Sequence, residues 1–162
     1  MKKVKTIWLP LVIIAITAFQ SNPAIPTSGG DEKKAVLEAN RQFFKALNAI
    51  FEGDPVPMKS VWAHTDDVIY MGPGGSTQVG WEQVLANWKY QASLNLGGEV
   101  NPENMHIIMG ADIAIVQNLV KGRNLVNGEP QEVSIRATQA FRKQKDGWKV
   151  VSVHTDTLSF TR

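Results

Sequence analysis

Between two tight-turn signals, Asn127-Gly128-Glu129-Pro130 and Lys145-Asp146-Gly147, residues 131–144 alternate with a period of two. Val133, Ile135, Ala137, Gln139 and Phe141 take one face. Glu132, Ser134, Arg136, Thr138 and Arg142 take the other. That period belongs to a half-buried strand, and Asn-Gly or Asp-Gly between such runs marks a hairpin. The chain is thereby committed to an antiparallel meander. Residues 113–124 form the preceding strand, residues 148–158 the following one, and residues 105–109 an earlier short one.

The half before Gly97-Gly98 reads as helices. From Glu32 the apolar positions Val36, Phe43, Phe44, Leu47, Ile50 and Phe51 recur at helical spacing. Ser28-Gly29-Gly30-Asp31 offers capping groups before them, and Gly53-Asp54-Pro55 stops the helix. Residues 57–64 predict a second helix with Met58, Val61 and Trp62 inward. Residues 68–71 predict a short strand, Gly72-Pro73-Gly74-Gly75 a turn, and residues 80–94 a third helix with Val84, Leu85, Trp88 and Ala92 on one face. Helices followed by an antiparallel meander define an α+β fold. A sheet that carries helices on one side and curls can enclose a cavity between the layers.

The first 24 residues stand apart. Met1-Lys2-Lys3-Val4-Lys5 is basic, residues 6–19 are uncharged and strongly apolar, and residues 20–30 are rich in Pro, Ser and Gly. This is the pattern of a secretory signal peptide, and the apolar run is short of the roughly 20 residues a spanning helix needs. Exit sites at Ala18-Phe19-Gln20 and Asn22-Pro23-Ala24 both fit loosely. We expect a signal peptide over 1–24, a linker over 25–31 and one domain over 32–160, exported to the periplasm or outside the cell, with no membrane attachment after cleavage. The 17 basic against 15 acidic residues argue against nucleic acid as a partner. Without Lys2, Lys3 and Lys5 the basic count is 14, so the small positive balance belongs to the leader. The chain contains no cysteine, which excludes disulfides, thiolate metal sites, lipoprotein attachment and a cysteine nucleophile.

Few groups can carry chemistry. His154 and Asp156 are two apart on the last strand and so predicted to share a face with Ser152 and Val150. A histidine oriented by a carboxylate can serve as acid and base. Asp66 and Asp67 are adjacent, so on a strand they point oppositely, and Asp67 reads as a turn cap. His64 and His106 show no evident partner. No H-x-H, H-x-x-x-H, G-x-S-x-G, phosphate loop or dinucleotide fingerprint occurs, so no metal and no cofactor are expected. Trp62, Trp81, Trp88, Trp148 and Tyr70, with Met58, Met71, Met105 and Met109, suggest a wide apolar interior or pocket lining.

A longer pattern runs through these residues. A helix ends in Glu52-Gly53-Asp54. Trp62-Ala63-His64-Thr65-Asp66-Asp67-Val68, Gly72-Pro73 and Val79-Gly80-Trp81-Glu82-Gln83-Val84 follow in order. Phe141-Arg142, Asp146-Gly147-Trp148-Lys149-Val150-Val151 and His154-Thr155-Asp156 close the chain. Over roughly residues 33–158 this resembles the SnoaL-like (DUF4440-type) branch of the nuclear transport factor 2-like, or ketosteroid isomerase-like, superfamily. The resemblance implies a cone-shaped, curved antiparallel sheet wrapped around N-terminal helices, with an internal pocket. It puts Ile135, Ala137, Gln139, Ser152, His154 and Asp156 on the pocket-facing side, with Gln117 pointing the same way and Tyr70 and Trp88 in the lining. Gln139 needs a partner if buried, and His154 is a candidate. Arg136 lies on the opposite face, through which family members often dimerise, and has Glu132 or a neighbouring strand to pair with. Aligned on ketosteroid isomerase, the catalytic aspartate falls on Gly72, the protonated aspartate donor on Gln139 and the tyrosine donor at or near Ala46. All three differ, so steroid isomerisation by that mechanism is not expected.

Function transfers poorly on a fold with many uses. The expected function is an exported binder of a small, largely apolar or cyclic ligand, with a homodimer as the expected assembly. The alternatives are an isomerase, cyclase or hydrolase using His154 with Asp156, and an oligomeric interaction module like the association domain of calcium/calmodulin-dependent kinase II.

Overall fold

A computed structural model describes residues 29–126 and 128–157, so the leader expected over 1–24 lies outside the described residues. The elements are α1 (Gly29–Phe51), α2 (Met58–Val61), β1 (Ile69–Met71), β2 (Thr77–Val79), α3 (Trp81–Ser93), β3 (Glu99–Met109), β4 (Ile113–Val126), β5 (Glu129–Gln144) and β6 (Gly147–Thr157). The strands form one six-stranded sheet in the order β2-β1-β6-β5-β4-β3. The β3–β6 meander is antiparallel, as expected, while β1 joins β6 in parallel and makes the sheet mixed. The sheet is curved, with the helices and the core on one side of it. Among the described residues no helix is long and apolar enough to cross a membrane.

Helix α1 begins at Gly29, inside the stretch expected as linker, and Asp31 and Glu32 in its first turn suit the positive helix end. Glu32 also accepts from Lys143 Nζ at 2.7 Å and Trp148 Nε1 at 2.9 Å, tying the start of the helix to the β5–β6 hairpin. The helix stops where the glycine predicts. Gly53 (φ 88°) donates to Ile50 O, and Asp54 donates to Ala49 O. This closes the last turn through a left-handed residue.

Three further elements depart from expectation. Helix α2 is one turn, not residues 57–64, because Ala63 N donates to Val150 O and Trp62 bridges to β6. A strand partner there outcompetes the next helical hydrogen bond. Strand β2 is an additional short strand, paired with β1 across the glycine turn. Strand β3 starts at Glu99 and spans Pro102 and Asn104 (φ 52°), with a bulge between Glu103 and His106. Proline is tolerated because β3 is the sheet edge, where one row of N–H groups has no neighbouring strand. Asn48 on α1 supplies a substitute partner. Its Nδ2 donates to Val100 O at 3.1 Å and its Oδ1 accepts from Val100 N at 3.0 Å.

Asp67 caps its turn and is anchored as well. It accepts from Thr65 Oγ1 at 2.6 Å and from Arg142 Nη1 and Nη2 at 3.3 and 2.6 Å. These bonds hold its carboxyl at about 2, below its ordinary 3.8. Because the folded value is depressed, the stabilisation is present above the ordinary value and is lost as pH falls towards 2. The pair is exposed, so Asp67→Asn is expected to cost at most about 1 kcal/mol at pH 7. Urea midpoints at pH 7, 4 and 2 should show that deficit shrinking with acid; a constant deficit contradicts the ion pair as its cause.

Candidate functional site

The helices close over the inner face of the sheet and leave a cavity of about 330 Å³. Phe43, Phe44, Leu47 and Phe51 of α1 form one wall, and Val133, Ile135, Ala137 and Gln139 of β5 form the facing one. Along β5 the side chains run from exposed Gln131 through half-buried Val133 and Ile135 to Ala137 and Gln139, 3% and 1% exposed. That gradient runs from the mouth to the deep end. Tyr70 of β1 and Trp88 of α3 complete the deep end, with ring centroids 4.6 Å apart. Trp88 also packs on Phe43 at 6.5 Å and on Trp62 at 6.4 Å.

Polar side chains, Gln139, Tyr70 and Gln91, break this apolar lining. Gln139 Oε1 accepts from buried Asn118 Nδ2 at 2.8 Å. Asn118, not His154, is therefore its partner. Tyr70 Oη accepts from Gln91 Nε2 at 3.3 Å. Burial raises the Tyr70 phenol above its ordinary 10.0, partly offset by the Gln91 bond, so it is neutral at physiological pH. Gly72 bears directly on this tyrosine. A Cβ there would lie 2.8 Å from Tyr70 Oη, so the ring occupies the space that a side chain at position 72 would need. Ala46 is buried on a different side of α1, in a groove against the start of β3, and does not line the cavity.

The structure brings Tyr70, Trp88, Ile135, Ala137 and Gln139 together at the cavity wall. It separates His154, Asp156, Ser152 and Gln117 from them, and their expected pocket-facing placement is corrected. The reason is one residue. Ala140 pairs with Ser152 but Phe141 pairs with Val150, so Val151 is an extra residue in β6. Before this bulge the even-numbered Trp148 and Val150 are buried; after it Val153 is buried and Thr155 and Thr157 line the cavity. A one-residue insertion moves every later side chain to the other face. His154 and Asp156 thus lie on the outer face with His106, Gln117, Arg136 and Thr138. There His106, Gln117, Thr138 and His154 are successive cross-strand partners. Asp156 accepts from Arg136 Nε at 3.2 Å and Nη2 at 2.8 Å, which identifies the neighbouring-strand partner of that arginine. His64 does have partners. Its ring stacks on Trp81 at 4.2 Å, and Nε2 donates to Lys59 O at 2.7 Å. Among the described residues no three His, Asp or Glu side chains come close enough to share a metal ion.

Several cavity residues escaped the site reading from sequence. Phe43, Phe44, Leu47 and Phe51 were visible only as an apolar helix stripe. Val153 and Thr155 needed the bulge, for which adjacent Val150 and Val151 in an otherwise alternating strand are the one sequence sign.

The model of the SnoaL-like domain matches residues 36–158. The chain belongs to the SnoaL-like domain family. Its fold is that of solved structures of the nuclear transport factor 2-like family. A candidate dehydratase of that family from Streptomyces avermitilis shares 21% identity, with a TM-score of 0.71 over 80% of this chain and 98% of its own. A candidate ketosteroid isomerase from Shewanella frigidimarina shares 22%, with a TM-score of 0.63 over 77% and 97%. A candidate calcium/calmodulin-dependent kinase II association domain from Thiobacillus denitrificans shares 26%, with a TM-score of 0.63 over 75% and 93%. No curated protein matches the sequence. The SnoaL-like fold is compatible with ligand binding or with isomerase- or dehydratase-type chemistry, and such different uses of one fold leave the choice to the site.

Proposed function

We propose that this SnoaL-like protein is exported and binds a small, largely apolar ligand in its interior cavity. The carrying observation is the cavity of about 330 Å³, walled by aromatic and aliphatic side chains and reached from the open end of β5. A concave, mostly apolar site with a few convergent polar groups is the usual form of a small-molecule site. The alternative acid–base reading of His154 with Asp156 loses support, because both lie across the sheet from the cavity and Asp156 is engaged by Arg136. The basic head and apolar run of residues 1–24 support export. The outer sheet face, with Ile108 and Ile113 exposed, suits a homodimer.

One experiment reads all three parts. The full-length sequence is expressed in a Gram-negative host, and the mature protein is analysed by native mass spectrometry. We expect a mass lacking about the first 24 residues, a dimer, and a small-molecule adduct that a cavity-filling Ile135→Trp variant does not carry. An intact N-terminus refutes export and a monomer refutes the dimer. An adduct retained by Ile135→Trp refutes the cavity as the site.

A further inference from the structure

The bulge in β3 sets Asn104 and Met105 against Asn118 of β4, since Glu103 pairs with Leu119 and His106 with Gln117. Met105 is 41% exposed at this sheet edge, yet its sulfur accepts a hydrogen bond from Asn40 Nδ2 of α1 at 3.4 Å. Asn40 is 1% exposed, and its Oδ1 is buried with no hydrogen-bond partner among the described residues. A solvent-reachable thioether is thus the partner shown for a buried amide. The other methionines of the described residues differ. Met58 is fully buried, and Met109 is half-buried against the core. Met71 is 39% exposed, and among the described residues no side chain donates to its sulfur.

We propose that Met105 is a modification site for peroxide-class oxidants, and that the core registers its oxidation through Asn40. The Met105 sulfur attacks one peroxide oxygen, the S–O bond forms and the O–O bond breaks. The other oxygen leaves as water, taking the proton of the oxygen transferred. Sulfur is oxidised by two electrons to the neutral sulfoxide and the peroxide is reduced. Asn40 occupies the inner side of the sulfur, so the oxidant meets it from the solvent side and the new oxygen stays in water. Sulfur then carries the positive end of the S–O bond and no longer accepts from the Asn40 N–H. Both halves of a buried amide are left unbonded, which carries the full desolvation cost of that group. Asn48 still holds Val100 through two hydrogen bonds, so the loosening is confined to β3 beyond the bulge, His106 to Met109. Sulfoxide reductases reverse this step, so the tie between α1 and β3 can be remade.

The purified protein is treated with hydrogen peroxide at pH 7 and its sites are read by peptide mass spectrometry, with thermal midpoint and amide exchange followed in parallel. We expect Met105 and Met71 to be oxidised and Met58 to be spared. The midpoint should fall by about 3–8 °C, the range for one buried group losing its partner, and Met71→Leu should show the same fall. Exchange should quicken about tenfold over residues 106–109 with Val100 unchanged. Asn40→Leu removes the buried amide, so its midpoint should hardly respond to peroxide. Met105 left unoxidised while Met71 reacts overturns the site. A midpoint unmoved by oxidation at Met105, or an equal fall in Asn40→Leu, overturns the coupling through Asn40. If Asn40→Leu does not fold, the exchange pattern in Met71→Leu decides, and quickening spread over all of β3 overturns the proposal.

Discussion

Trp88→Ala is expected to lower stability by about 3–5 kcal/mol, the usual cost of removing a large buried aromatic. Trp88 is 1% exposed and packs against Tyr70, Phe43 and Trp62, which come from β1, α1 and the segment after α2. No other ring makes as many of the aromatic contacts found among the described residues. Truncating it opens a void that rigid neighbours on three sides cannot collapse to fill, and it removes a wall of the cavity. Urea unfolding should show a lower midpoint, and a folded remainder should bind apolar probes more weakly and less selectively. Trp88→Phe retains most of the contacts and should cost clearly less. A Trp88→Ala loss below about 1 kcal/mol would show that α3 can close on β1 without the indole.

Gly122→Ala is expected to cost more than about 3 kcal/mol, through overlap and not through a cavity. Gly122 of β4 sits directly opposite Val100 of β3. A Cβ there would overlap Glu99 O and lie 2.7 Å from Val100 Cα. Both obstacles are backbone, so no rotamer change relieves them. Strand β3 cannot simply step away either, since Asn48 holds Val100 from α1 through two hydrogen bonds. The expected signature is a lower thermal midpoint together with faster amide exchange at Val100. A variant within about 0.5 kcal/mol of the parent, with Val100 still protected, would show that the β3 edge shifts freely.

Much of the architecture was written in short-range pattern. The faces of β5, the apolar stripe of α1, the stop at Gly53 and the turn at Gly72-Pro73-Gly74-Gly75 each depend on residues within one element. The structure reproduces them. Glu103 to His106 and the Val150-Val151 step are different. There an extra residue is accommodated because a particular neighbouring strand makes room for it, and one strand read alone gives no measure of that. The shortness of α2 has the same origin, in a carbonyl of Val150 distant in sequence.

The residues alone were enough for the α+β class and the meander, because periodicity and turn chemistry are local, and the resemblance carried by the ordered motifs supplied the family and the β5 side of the cavity. Pairing in three dimensions was needed to say that His154 and Asp156 face outward while Val153 and Thr155 face in. The side-chain phase of β6 is set by its register against β5, and one bulged residue reverses it.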